Sequence, residues 1–184
     1  MAEIKKKYII SGPPGSGKST LIQALEEKGI QCLNEVSRDI IIAEQNSGNN
    51  GMPWLNIERF AQLVFDETKL RLQKEAESIF CDRSLIDTIA YLEHANKRVE
   101  DHFKNFNFNK YYHKTIFYAQ PWKDIYVQDE QRPQLFEDHL SLSKMILDVY
   151  NKYNYNIIFL PFTSVSLRSE FILKELEKIK INNK

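Results

Sequence analysis

One stretch constrains this chain more than any other: Gly12-Pro13-Pro14-Gly15-Ser16-Gly17-Lys18-Ser19. It satisfies G-x-x-x-x-G-K-[ST] at every required position. The apolar run Tyr8-Ile9-Ile10 stands just before it, and Leu21, Ile22 and Leu25 follow at helical spacing, with Gly29 placed to stop the helix. Strand, glycine-rich loop and helix in that order form a cradle. The glycines let backbone N–H groups turn onto phosphate oxygens, and the helix N-terminus adds partial positive charge. Lys18 is then placed for the β- and γ-phosphates of a nucleotide, and the Ser19 hydroxyl for Mg²⁺.

The candidate nucleotide-binding residues are therefore Gly12, Pro13, Pro14, Gly15, Ser16, Gly17, Lys18, Ser19 and Thr20. A glycine-rich turn that binds nothing is the bland alternative, and the flanking strand and helix argue against it. A dinucleotide fingerprint, G-x-G-x-x-G, fails because Thr20 stands where the third small residue belongs.

The rest of the chain alternates strand and helix. Gln31 to Asn34 reads as a short strand, a helix surrounds Ile40, Ile41 and Ala43, and Gln45 to Leu55 is loop. Asn56 is a plausible N-cap for a long amphipathic helix carrying Ile57, Phe60, Ala61, Val64, Phe65 and Leu72. Ile79-Phe80-Cys81 reads as a strand ending at Asp82, and Ser84 to Asp87 has the form of a capping box. Thr115 to Tyr118 and Ile157 to Leu160 are two further strands. Between them the spacing predicts a helix with Phe136, Leu140, Ser143, Leu147 and Tyr150 on one face, and a last helix carries Val165, Ile172, Leu176 and Ile179. Continuous apolar strands between helices imply an α/β fold, a parallel sheet covered on both faces.

Composition narrows the class. The 184 residues, 42% hydrophobic and without a linker or repeat, are expected to form a single domain over residues 1–184. Lys and Arg balance Asp and Glu at 25 each, which argues against a broad basic face for nucleic acid. No apolar run is long enough for a membrane span or a secretory signal, and Cys32 and Cys81 are too few for a disulfide framework, so a cytoplasmic location is expected. Both cysteines lie on predicted strands and read as buried, inert thiols. His94, His102, His113 and His139 show no zinc-ligand spacing. The aromatic-dense segment from His102 to Trp122 reads as core packing, with base stacking as the alternative. Trp54 either walls an acceptor pocket or anchors its loop.

The residues after the third strand separate motors from transferases. A hydrolytic motor commonly has a second acidic residue after the strand's Asp, but here Arg83 follows Asp82. Asp82-Arg83-Ser84 instead resembles the Asp/Glu-Arg signature of P-loop nucleoside and nucleotide kinases. That resemblance implies a carboxylate at Asp82 serving as acceptor base or water-mediated Mg²⁺ partner, and an Arg83 that contacts acceptor or phosphate. Glu35 and Arg38 follow the second strand as Glu-x-x-Arg. With the P-loop and Asp82-Arg83 this resembles the AAA-type ATPase/kinase domains typified by the ribosylnicotinamide kinase domain of a bacterial NAD regulator, in layout from about Tyr8 to Leu160.

The resemblance implies a three-layer P-loop NTPase fold, with a five-stranded parallel sheet in the order 2-3-1-4-5. It also implies a charged lid, for which residues 121–134 are the candidate, with Arg132 reaching the transferring phosphate and Asp129 nearby. The expected activity is transfer of the ATP γ-phosphate to a small nucleoside-like or related acceptor. Lys18, Asp82 and Arg132 are the catalytic candidates, Glu35, Arg38 and Arg83 the acceptor-binding ones, and Ser19 and Asp82 the metal-holding ones; Glu35 and Arg38 could instead form an ordinary surface ion pair. ATP hydrolysis, or nucleotide sensing without turnover, are the alternatives.

Overall fold

The computed structural model describes residues 5–75, 77–127 and 135–182. Five strands form one sheet: β1 (Lys7–Ser11), β2 (Cys32–Leu33), β3 (Phe80–Asp82), β4 (Tyr112–Tyr118) and β5 (Asn156–Phe159). All pairings are parallel and the order is β2-β3-β1-β4-β5, the order expected of P-loop kinases. The helices are α1 (Lys18–Glu26), α2 (Ser37–Asn46), α3 (Ile57–Lys74), α4 (Leu85–His94), the short α5 (Asp101–Lys104) and α6 (Phe108–Tyr111), α7 (Phe136–Lys152) and α8 (Val165–Asn182).

Alternation along the strands divides the core into two. Ile9, Cys81, Ile116 and Tyr118 point to one face, where α3, α4 and α7 cover them. Tyr8, Ile10, Phe80 and Phe117 point to the other, against α1 and α8. Most of the aromatic run belongs to this packing, with Phe103, Phe108, Tyr111, Tyr112, Phe117 and Tyr118 all buried. Burial pushes the Cys32 thiol up to about 12 and the Cys81 thiol well above its ordinary value, so both stay protonated and inert. Among the described residues no helix is long and apolar enough to cross a membrane.

Register decides where the chemistry can sit. Ile10 pairs with Asp82, so the loop that leaves β1 and the residues that leave β3 emerge side by side, and the Arg83 amide donates to the Ile10 carbonyl at 2.9 Å. Ligands of open α/β sheets collect at this end of the strands.

Local signals hold at both caps. The Asn56 side chain accepts from the Arg59 amide at 3.1 Å, and Ser84 with Asp87 closes a complete capping box on α4. Glu44 of α2 is buried and pins the loop before α3. It accepts from the Gly51 amide at 2.9 Å and from Arg59 Nε at 2.7 Å, which fixes the segment that carries Trp54.

Three expectations need correcting. β2 contracts to two residues at the sheet edge, and β4 starts at Tyr112, before the expected Thr115. Helix α7 buries His139, Leu142, Ser143, Ile146, Val149 and Tyr150, and Leu140 is left 49% exposed. Polar anchors set this rotation: the Tyr118 hydroxyl lies 2.7 Å from Ser143 Oγ, and the Tyr150 hydroxyl donates to Asp87 at 2.6 Å. Apolar spacing alone does not register such bonds.

Asp87 joins three elements beneath the site. Its carboxylate accepts from Ser11 Oγ at the end of β1, from the Ser84 amide at 2.8 Å and from Tyr150 of α7. Truncating it strands several buried donors. Asp87→Ala should therefore lose about 3 kcal/mol of unfolding free energy in urea titration, with Ser84→Ala losing less.

Candidate active site

The cradle is built by backbone geometry. Gly12 has φ +146°, and a Cβ placed there would lie 2.1 Å from the Ala119 carbonyl oxygen at the end of β4, so only glycine fits. Gly17, at φ +79°, is the N-cap of α1, and no side chain caps the helix, which leaves its first amides for a ligand.

Cations from separate elements bind the carbonyls of this loop. Lys18 Nζ donates to Pro13 O at 2.8 Å and to Ser16 Oγ at 3.3 Å. Arg83 Nη1 donates to Gly12 O at 2.9 Å, and Arg168 Nη1, from the first turns of α8, donates to Ser16 O at 3.2 Å. Arg83 itself has φ +68°, a conformation a long side chain seldom adopts. Surrounding contacts hold it there: its Nε donates to Glu35 Oε1 at 2.7 Å, its Nη1 lies 3.9 Å from Asp87 Oδ1, and its guanidinium sits 5.5 Å from the Tyr91 ring centroid.

The carboxylates facing the loop are tuned apart. Burial, reinforced by the nearby Glu35, pushes the Asp82 carboxyl up to about 7, and among the described residues its buried Oδ1 has no hydrogen-bond partner. Burial and the adjacent Arg83 push the Lys18 ammonium down to about 7. Glu35 is also pushed up by burial, but Arg83 and Lys18, with a hydrogen bond from Ser37, outweigh that and hold it below the usual carboxylate range. An acid poised near neutrality beside a fully ionised one is an arrangement suited to proton transfer.

These groups line one cavity of about 850 Å³. Gly15, Gly17, Lys18, Ser19 and Thr20 line it on the loop side, and Trp54, Ile57, Phe60, Val64 and Tyr91 form apolar walls elsewhere. Glu35, Arg38, Asp82 and Arg83 also line it, as does Pro14, whereas Gly12, Pro13 and Ser16 of the expected loop are buried behind the lining. Arg132 and Asp129 lie outside the described residues. Of the candidate lid, residues 121–127 are described and include a 3₁₀ turn at Lys123–Ile125; residues 128–134 are not.

Among the described residues no cluster of three or more His, Cys, Asp or Glu could hold a metal unaided. The unpartnered Asp82 oxygen and the exposed Ser19 hydroxyl in the same cavity do fit a Mg²⁺ that arrives with phosphate.

Two residues escaped the sequence reading. Asp87 announced itself as a cap, but nothing marked it as the junction of β1, α4 and α7. Arg168 had a usable signal: it falls four residues before Ile172 and eight before Leu176, on the core-facing stripe of α8, where an arginine is out of place.

A sheet of this order with this loop after its first, central strand defines a P-loop nucleotide-binding fold. The AAA domain family model matches residues 7–168, and the chain belongs to that family. None of the curated proteins compared matches it by sequence. Among solved structures it is similar to deoxyadenosine kinase from M. mycoides with bound dATP, at TM-score 0.71 and 18% identity over 94% of this chain and 100% of that one. It is also similar to thymidylate kinase from Candida albicans, at TM-score 0.67 and 15% identity over 98% and 94% of the two chains. NadR in complex with NR gives TM-score 0.67 at 14% identity over 95% of this chain but only 51% of NadR. At these identities the likeness establishes the fold.

The pKa directions have a stability consequence. Asp82 titrates near 7 when folded but near 3.8 when unfolded, so the native state holds more protons between those values, and stability falls as pH rises through that window. Asp82→Asn should therefore raise the thermal midpoint at pH 8, with the gain shrinking towards pH 4. Differential scanning calorimetry at the two pH values measures it.

Proposed function

We propose that the protein transfers the γ-phosphoryl group of ATP, bound with Mg²⁺, to a hydroxyl of a small nucleoside-like acceptor. The supporting observation is the continuity of the cavity: the phosphate cradle and an aromatic-walled chamber are one space, and Glu35, Asp82 and Arg83 line it. Arg83 bonds both Glu35 and the loop carbonyl of Gly12, so the carboxylates lie beside the cradle. The solved structures with this fold include kinases for deoxyadenosine and for thymidylate, which favours a nucleoside-type acceptor over a protein or nucleic acid.

Catalysis in this reading is positioning plus charge neutralisation. The backbone N–H groups from Gly15 to Ser19 hold the triphosphate, the two prolines before them having none to give. Lys18 exchanges the Pro13 carbonyl for phosphate oxygens, and the added negative charge draws its pKa back up. Asp82 orients the acceptor hydroxyl and takes its proton, while ionised Glu35 accepts a hydrogen bond from the acceptor. Arg83 and Arg38 hold the acceptor, with Trp54 and Tyr91 as walls for a planar ring. Mg²⁺ would be held by Ser19 and Asp82 and would neutralise phosphate charge.

Transfer of label from γ-labelled ATP to a panel of nucleosides, nucleoside monophosphates and ribosides tests the reading. Lys18→Ala should lower turnover by ~100-fold or more. Trp54→Ala should raise the acceptor KM about tenfold with the ATP KM little changed. Full transfer by Lys18→Ala would remove the site assignment. Phosphate release that ignores every acceptor would replace transfer by hydrolysis.

A further inference from the structure

Arg168 is a buried cation with no carboxylate partner among the described residues. Its side chain is 3% exposed, its Nη1 is spent on the Ser16 carbonyl, and its Nε has no hydrogen-bond partner among the described residues. Arg83 offers the contrast, since Glu35 and Asp87 answer it at 2.7 and 3.9 Å. Burial alone pulls the Arg168 pKa down, with no carboxylate raising it. An uncompensated buried guanidinium is costly, and a fold that retains one has a use for an anion at that place.

Position says which anion. A Cβ on Gly17 would lie 2.9 Å from Arg168 Nη1, so the guanidinium leans over the N-cap of α1, where uncapped amides and the helix dipole favour negative charge. Arg168 lines the same cavity as Lys18, Ser19 and Thr20. Trp122 backs it, with the guanidinium 5.9 Å from the ring centroid, and Trp122 in turn packs on Phe162 at 5.4 Å. The wall is aromatic on one side of the cation, and the other side faces the cavity shared with Lys18 and Ser19.

We propose that Arg168 is a donor-side positioning residue that binds the polyphosphate chain of the nucleoside triphosphate, so that α8 and the loop after β1 grip one ligand from two sides. This rests on the nucleotide-site reading above. The planar fork of an arginine can keep its bond to Ser16 and still present a second N–H edge to a phosphate oxygen, which a point-charge ammonium does less well.

Titration calorimetry of the full chain with Mg·ATP and with inorganic tripolyphosphate tests it, comparing wild type, Arg168→Gln and Arg168→Lys. The expected result is a loss of about tenfold or more for both ligands in Arg168→Gln, with partial recovery in Arg168→Lys. Unchanged tripolyphosphate affinity in Arg168→Gln overturns the proposal. It does so even if ATP affinity falls, since the contact would then be to base or ribose. Should Arg168→Gln fail to fold, Arg168→Lys decides alone: weaker binding of both ligands supports the assignment, and equal binding of tripolyphosphate overturns it. Wild-type protein that binds neither ligand would overturn the nucleotide-site reading itself, whereas wild-type binding of both with no change on substitution overturns only the role of Arg168.

Discussion

The ion pair between Arg83 and Glu35 is the constraint on which the site depends. Arg83 leaves β3 in a left-handed conformation that no property of its own side chain favours, and its guanidinium then joins the Glu35 carboxylate to the Gly12 carbonyl. One residue thereby ties the ends of β1, β2 and β3 together. Such strain costs about 1–3 kcal/mol and persists only where surrounding contacts over-determine it. Here those contacts are the site, which is where stored strain is to be expected.

Around that pair the protein concentrates unlike charges in a poorly solvated space. Asp82 and Lys18 both move towards neutrality, from opposite directions and chiefly for the same reason, burial. Neither shift helps folding, and each leaves a group that a phosphate-bearing ligand or a hydroxyl proton can recruit. The hydrogen bonds of Asp87 to Ser11, Ser84 and Tyr150 lie beneath and are fully satisfied, so a rigid polar floor supports a deliberately unsettled layer above it. Neutral overall charge is compatible with the proposed phosphate site, which needs only local groups: loop amides, one lysine and a few arginines.

Much of this was legible in the sequence, for physical reasons specific to each element. The loop from Gly12 to Ser19 must be glycine-rich to bend, so its pattern is short-range and visible. The Ser84 and Asp87 cap and the Asn56 cap are likewise local. Strand order came through resemblance, since alternation of strand and helix gives a parallel sheet but not its permutation. What stayed hidden was long-range. Arg168 meets Ser16 across the whole chain, Tyr150 meets Asp87 through a hydroxyl that reads as apolar periodicity, and the rotation of α7 follows from those polar anchors. The pairing of Glu35 was half visible: its place after β2 marked it, but Arg38 looked like its partner and Arg83 is the one observed at 2.7 Å.

Phosphorus NMR of the wild-type protein with ATP, Mg²⁺ and a nucleoside mixture separates phosphoryl transfer from hydrolysis. A new phosphomonoester resonance should grow at the rate at which ATP becomes ADP, in equal amount and only when acceptor is present. ADP accompanied by inorganic phosphate at a rate indifferent to acceptor, or ATP left intact with every acceptor, would show that the protein is not a phosphotransferase.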